Sequence, residues 1–254
     1  MPMYSIAVSD AVLSLASCFS AAGVWCLRSG LRVGVSAVPP VVAFCIIALA
    51  SFLGIVRFGC GMDDAAGSTT NKDEAPMFIK LHRFVSGAGA AVSFPLLGCH
   101  FAQLILPELA WVKAFQTDSD KYSCGLSFAL VLTYCMMRKS EVHGTVLSAA
   151  GLIVVSLFAF SSVAYENDAA AEAAMCSLAG AGLVISTTAV GSDLHERVGG
   201  LRQVDLFHYM LANAVILLGM AVVGASARRP LRAMEVLAAM MTATMEQGAA
   251  LASR

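Results

Sequence analysis

The stretch Pro39-Pro40-Val41-Val42-Ala43-Phe44-Cys45-Ile46-Ile47-Ala48-Leu49-Ala50-Ser51-Phe52-Leu53-Gly54-Ile55-Val56-Arg57-Phe58-Gly59 decides the fold class. No charge interrupts it from Val41 to Val56. At 1.5 Å per residue a helix needs about 20 such residues to cross the hydrocarbon of a bilayer. The two prolines stand at its opening, where a helix has no use for the missing N–H. Hydrocarbon can surround such a segment only if it is helical, because every backbone polar group must then be paired internally.

Outward from this stretch the pattern repeats. An apolar run from about Ser5 to Leu27 precedes it and ends at Arg28. A third runs from near Phe78 to about Leu106, where Pro107 stops it, and Pro95 within it is placed to kink the helix. Further spans are expected at about Tyr122 to Met137, Val142 to Ala164, Ala173 to Val190 and Val204 to Ala225. The fold class is therefore an all-α polytopic transmembrane helix bundle of about seven spans, occupying residues 1–227. A C-terminal amphipathic tail helix is expected over 228–254, with Leu231, Met234, Leu237, Met241 and Met245 at helical spacing. The composition agrees: 58% of residues are hydrophobic and 13% charged, about half the charged share of a soluble domain. A net charge of -1 excludes the basic excess of a nucleic-acid binder.

The connections are polar. Residues 61–76 are rich in Gly, Ser and Thr, Arg138-Lys139-Ser140-Glu141 makes a tight basic hairpin, and Ser192 to Arg202 is a charged connector. No basic region precedes the first apolar run, so that run is expected to be a retained helix rather than a cleaved signal. The eight cysteines include no Cys-x-x-Cys pair and read as small apolar residues.

Ionisable groups within apolar spans are costly and mark candidate sites. Asp205 and His208 are three residues apart at the opening of the last span and share a helix face, so the carboxylate is placed to orient the imidazole. They also read as a polar pair that caps the helix and bonds a neighbour. His82 and His100 lie on one side of the third span, about 27 Å apart if it is straight. The cofactor-binding candidates are thus His82, His100, Asp205 and His208. No catalytic set and no metal-ligand set is assembled from the sequence, and no cofactor is expected. Arg57 is expected to reach out to the interface, and Asp10 to pair with a cation in the bundle or to lie at its edge.

Four features in order carry a resemblance: Ser9-Asp10-Ala11-Val12-Leu13, Phe52-Leu53-Gly54-Ile55-Val56-Arg57-Phe58-Gly59, Tyr134-Cys135-Met136-Met137-Arg138-Lys139-Ser140 and Asp205-Leu206-Phe207-His208-Tyr209-Met210. Together they resemble a seven-span membrane family of unknown function whose last helix opens with His-Asn-Asp-Leu-Tyr-His followed by Gln. Asp205 and His208 match that motif. Phe207 replaces its Tyr, while Gln203, Val204 and Met210 stand for its first His, its Asn and its Gln. Arg57 occupies a place where the resemblance implies a His. The seven-span ceramidase and progestin-receptor-like hydrolases look similar in layout, and that likeness implies three histidines and an Asp around zinc.

The leading expectation is a non-catalytic structural or accessory subunit of a larger membrane complex, such as a respiratory or ATP synthase complex of the mitochondrial inner membrane. Its partners would be membrane lipids and other membrane protein subunits. The alternative is a metal-dependent membrane lipid hydrolase using Asp205 and His208 with His82 or His100.

Overall fold

The computed structural model describes residues 3–28, 36–62, 76–105, 125, 129–130, 132–137, 157–158, 160–162, 164, 169–186, 190 and 196–224. Their architecture is a helix bundle, broken only by a two-stranded hairpin. Helix α1 spans Tyr4–Arg28 and α2 spans Val38–Gly59. Helix α3 (Met77–Ala88) runs through a π segment (Gly89–Ser93) into α4 (Phe94–Ile105). Helix α5 covers Ala170–Ile185, the hairpin pairs β1 (Arg197–Val198) with β2 (Leu201–Arg202), and α6 covers Gln203–Gly224. Among the described residues, four stretches are long and apolar enough to cross a membrane: Tyr4–Cys26, Val38–Gly59, Met77–Phe101 and Gln203–Gly224. Of the seven expected spans, the counterpart of the sixth, α5, has 16 residues. The fourth and fifth fall largely outside the described residues, as do the basic hairpin from Arg138 onward and the tail helix.

Local chemistry sets the ends of α2. The Val38 N–H donates to the Ser36 hydroxyl at 3.1 Å, and the prolines take the first turn. At its far end Cys60 and Gly61 donate back to Val56 and Phe58, and Gly61 adopts a φ of 66°, the left-handed closure that glycine makes cheaply. The connector before α6 folds more tightly than a charged loop requires. Gly199 and Gly200 both have positive φ, the geometry of a two-residue turn that matches strand twist, and the Gln203 N–H donates to Glu196 at 2.9 Å.

Pro95 sits just past the π segment. A proline removes its own N–H and crowds the carbonyl four residues back, here that of Ala91. The wider π turn over Gly89–Ser93 takes up that conflict without ending the helix. The expected kink is thus a π segment.

Side-chain contacts fix the helix directions. Met3 N–H donates to Phe58 O at 3.1 Å, so α1 begins where α2 ends. His82 lies beside Arg57, and His100 Nδ1 is 3.2 Å from Ser36 O, so the α3–α4 rod runs opposite to α2. Ser9 meets Asp205 and Ser20 donates to Val215 O, which makes α1 and α6 parallel. Glu172, near the start of α5, lies against Gly224 at the end of α6, and these two are antiparallel. The core between them holds Phe44, Leu96, Leu97, Phe101, Leu157 and Leu218.

In hydrocarbon there is little hydrophobic drive between helices, so close packing and interhelical hydrogen bonds hold the bundle. Hydroxyls supply the latter: Ser14 to Ala48 O (3.1 Å), Ser20 to Val215 O (3.1 Å) and Ser93 to Ala43 O (3.0 Å), each worth about 0.6 kcal/mol by the average of such bonds. Close approach needs small residues. A Cβ on Gly219 would come within 2.6 Å of Ser20 Oγ and 3.2 Å of Ser20 Cα, whereas one on Gly98 would meet nothing within 4 Å. Gly219→Ala is therefore expected to destabilise the detergent-solubilised protein by about 1–3 kcal/mol through overpacking, with Gly98→Ala neutral or slightly stabilising. Thermal unfolding of the two variants side by side checks this, and equal midpoints would refute the close α1–α6 approach.

Candidate functional site

Four helices bring ionisable side chains to one end of the bundle. Ser9 and Asp10 stand on the second turn of α1, Arg57 on the last turn of α2, His82 and Ser86 one turn apart on α3, and Asp205 and His208 on the first two turns of α6. Ser9, Asp10, Arg57 and Asp205 are buried.

Ser9 is the hub. Its hydroxyl lies 3.1 Å from Asp205 Oδ1, 3.0 Å from Ile6 O and 3.2 Å from His208 Nδ1. His208 Nδ1 is also 3.3 Å from Asp10 Oδ1. With a carboxylate and a hydroxyl oxygen as its neighbours, Nδ1 carries the ring proton, which leaves Nε2 as the acceptor. The carboxylate that orients His208 is therefore Asp10, from another helix. Asp205, expected in that role from its place on the same face, is bonded to Ser9 and reaches the imidazole through that hydroxyl.

A second chain of contacts faces the first. Arg57 Nη1 is 3.0 Å from His82 Nδ1, and its guanidinium lies 4.8 Å from the centre of the Phe58 ring. Phe58 in turn meets the His82 ring edge-on at 5.9 Å. Arginine donates and never accepts, so His82 Nδ1 must be the acceptor and the ring's proton must be on Nε2. That N–H points to Ser86 Oγ at 3.3 Å. Arg57, expected to reach outward to an interface, is instead buried because an imidazole and an aromatic face receive it.

Between the two chains lies a cavity of about 270 Å³. All four apolar spans line it: Asp10 and Leu13 from α1, Ile47, Ser51 and Phe58 from α2, His82, Ser86 and Ala90 from α3 and the π segment, and Phe207, His208 and Leu211 from α6. One end is polar and the rest apolar. The Asp10 carboxylate lies against Gly54, where a Cβ would collide with it, and Asp10 Oδ2 has no hydrogen-bond partner among the described residues. Asp10 and His208 thus stand on the α1–α6 side of the cavity, and His82 and Ser86 on its α3 side.

Of the four sequence candidates, three meet here: His82, Asp205 and His208. The fourth, His100, is buried at the far end of the α3–α4 rod, beside Ser36 and edge-on to Phe101. His82 and His100 are not brought together. His143 and His195 fall outside the described residues. Sequence reading passed over Ser9 and Ser86, although Ser9 adjoins Asp10 and Ser86 lies four residues from His82, the spacing of one helix face. Among the described residues no three His, Cys, Asp or Glu side chains converge as a metal ion requires, so the zinc set implied by the hydrolase likeness is not assembled there.

Comparison of the chain with protein-family models, with curated proteins and with solved structures found no match.

The hub predicts its own energetics. Ser9→Ala leaves the buried Asp205 carboxylate without that donor and is expected to cost about 1–3 kcal/mol, the usual penalty for stranding a buried polar partner. Ser5→Ala, at an exposed position on the same helix, is expected to stay within about 0.5 kcal/mol of the parent. Chemical or thermal unfolding in one detergent compares them, and a neutral Ser9→Ala would remove Ser9 from the hub.

Proposed function

We propose that this chain is a multi-pass membrane protein that holds a small amphiphile in the cavity where four of its apolar spans meet. The observation that carries the reading is the composition of the wall: apolar along most of its surface, with Asp10, His82, Ser86 and His208 gathered at one end. Ionisable side chains in a bilayer are kept where they do something, and a mostly apolar cavity with a few convergent polar groups is the general form of a small-molecule site. His208, oriented through Nδ1, has the arrangement of a group that receives or delivers a proton at Nε2. Native mass spectrometry of the gently solubilised protein is expected to show a retained amphiphile, and Ala90→Trp, which fills the cavity, is expected to expel it without unfolding the bundle. Retention by that variant would place the amphiphile elsewhere on the protein.

The seven-span architecture belongs to the same proposal. Helix α4 ends on the face where α1 ends, and α6 begins on the face where α1 begins, so the chain from 106 to 202 has to cross an odd number of times. Helix α5, antiparallel to α6, is one crossing, and the apolar runs at about 122–137 and 142–164 supply two more. Cysteines introduced at 66 and 140 are then expected to label from one side of the membrane and those at 110 and 167 from the other. Labelling of 140 together with 110 would reject seven crossings.

A second reading, an accessory subunit of a larger membrane complex, is favoured by the outward face of α1. There Tyr4, Val8, Val12, Leu15 and Phe19 form an exposed apolar stripe at helical spacing, suited to lipid or to a neighbouring subunit's helix. Co-migration with a much larger assembly on a native gel supports it, and a monomer opposes it.

A further inference from the structure

We infer that the Asp10–His208 pair takes up one proton and so turns the ring nitrogen left to the cavity from an acceptor into a donor, which links ligand binding to protonation. This rests on the amphiphile reading above and adds the regulation of that site.

The imidazole stands between two surroundings. Its Nδ1 is turned to α1, 3.3 Å from Asp10 Oδ1 and 3.2 Å from Ser9 Oγ. The same side chain lines the cavity, and Nε2 has no hydrogen-bond partner among the described residues. His208 is also the most open member of the joint. Its side chain is 16% exposed against 4% for Asp10, while Ser9 and Asp205 are buried. A proton therefore enters and leaves the joint at Nε2.

Charge makes room for it. Among the described residues, the titratable and charged groups that face the pair are Asp205 on α6, Arg57 on α2 and, across the cavity, His82 on α3. His82 adds no charge, because its Nδ1 accepts from Arg57 and only Nε2 holds a proton. With both carboxylates ionised and His208 neutral, Asp10, Asp205 and Arg57 sum to one negative charge among apolar helices. Uncompensated charge in that setting is costly. One further proton brings the sum to zero.

The uptake is a short exchange. A proton from water forms an N–H bond at Nε2, and the proton on Nδ1 is drawn toward Asp10 Oδ1 along their contact. Asp205 reaches the ring only through Ser9, so Asp10 is the carboxylate that shares this proton. Wherever it rests between nitrogen and oxygen, the pair as a whole has gained one proton, and Nε2 carries an N–H. Before uptake Nε2 offers a lone pair, which suits a hydroxyl. After uptake it offers a proton, which suits a carbonyl oxygen.

The test uses the full chain in phosphatidylcholine nanodiscs and two probes of equal chain length that do not titrate. One is a long-chain methyl ketone, whose head only accepts, and the other a primary alcohol, which turns to accept or donate. The ketone is expected to bind about three- to ten-fold more tightly at low pH than at high pH, the range of one net hydrogen bond, while the alcohol changes by less than about two-fold. His208→Gln, which keeps an N–H that does not titrate, is expected to hold the ketone equally at every pH. Nitrogen-15 NMR of histidine-labelled protein is expected to show Nε2 of His208 gaining its proton over the pH range in which the ketone tightens. A ketone affinity constant from about pH 4 to about pH 10, with the protein folded, overturns the inference but leaves the cavity a ligand site. A pH dependence that survives in a folded His208→Gln variant overturns it as well. Binding of neither probe, or binding that Ala90→Trp leaves intact, removes the amphiphile reading itself.

Discussion

A carboxylate surrounded by hydrocarbon helices holds its place only through what it touches, and in this protein two of them touch one serine and one imidazole. Ser9 reaches Asp205, His208 reaches Ser9 and Asp10, and each contact crosses from α1 to α6. The rest of the bundle is arranged around that joint. It makes α1 and α6 parallel, and it requires glycine at 54 to leave space for the Asp10 side chain. Further along the same interface Gly219 admits Ser20, so the two helices stay close beyond the joint. Polar groups in a low-dielectric interior are expensive alone and strong when fully engaged, and such a network specifies one packing more sharply than apolar contacts do.

The cavity follows from what faces the joint. Helices α2 and α3 present Arg57 and His82, a pair whose proton positions are dictated by a residue that only donates. The two imidazoles therefore hold opposite tautomers: His82 is protonated at Nε2, and His208 at Nδ1. The π segment at Gly89–Ser93 belongs to the same region, since Gly89 and Ala90 line the cavity. A proline at 95 brings the wider turn that places these small residues there. Backbone irregularity inside a membrane is tolerated where protein or a cavity surrounds it, and here both do.

Much of the fold was legible because hydropathy is a local property. The uninterrupted run from Val41 to Val56 could only be a buried or lipid-facing helix, and α1, α2, the α3–α4 rod and α6 lie where apolar length placed them. The site was legible in its residue types and not in its partners. Asp205 and His208 share a helix face, but nothing local tells that Ser9, 196 residues away, would separate them. Arg57 next to Phe58 reads as an outward-reaching cation until His82 is seen beside it. The hairpin at 197–202 carried a sequence signal, Gly199-Gly200, obscured by the charges around it. His100 has the same residue type as His82 and a different fate, because Ser36 and Phe101 close around it at the other end of the rod.

The joint between α1 and α6 also has a history within each molecule's synthesis. Ser9 leaves the ribosome 196 residues ahead of Asp205, an interval of roughly 10 to 40 s at about 5–20 residues per second. Throughout it, Asp10 sits in a newly inserted helix with neither His208 nor its neighbours yet made. An ionised carboxylate near lipid is disfavoured by up to about 3 kcal/mol at mid-membrane on insertion scales, so α1 has reason to stay shallow or beside the insertion machinery until α6 arrives. Among the described helices α6 is the last made and closes the bundle, and any truncation before residue 205 leaves Asp10 on α1 without His208.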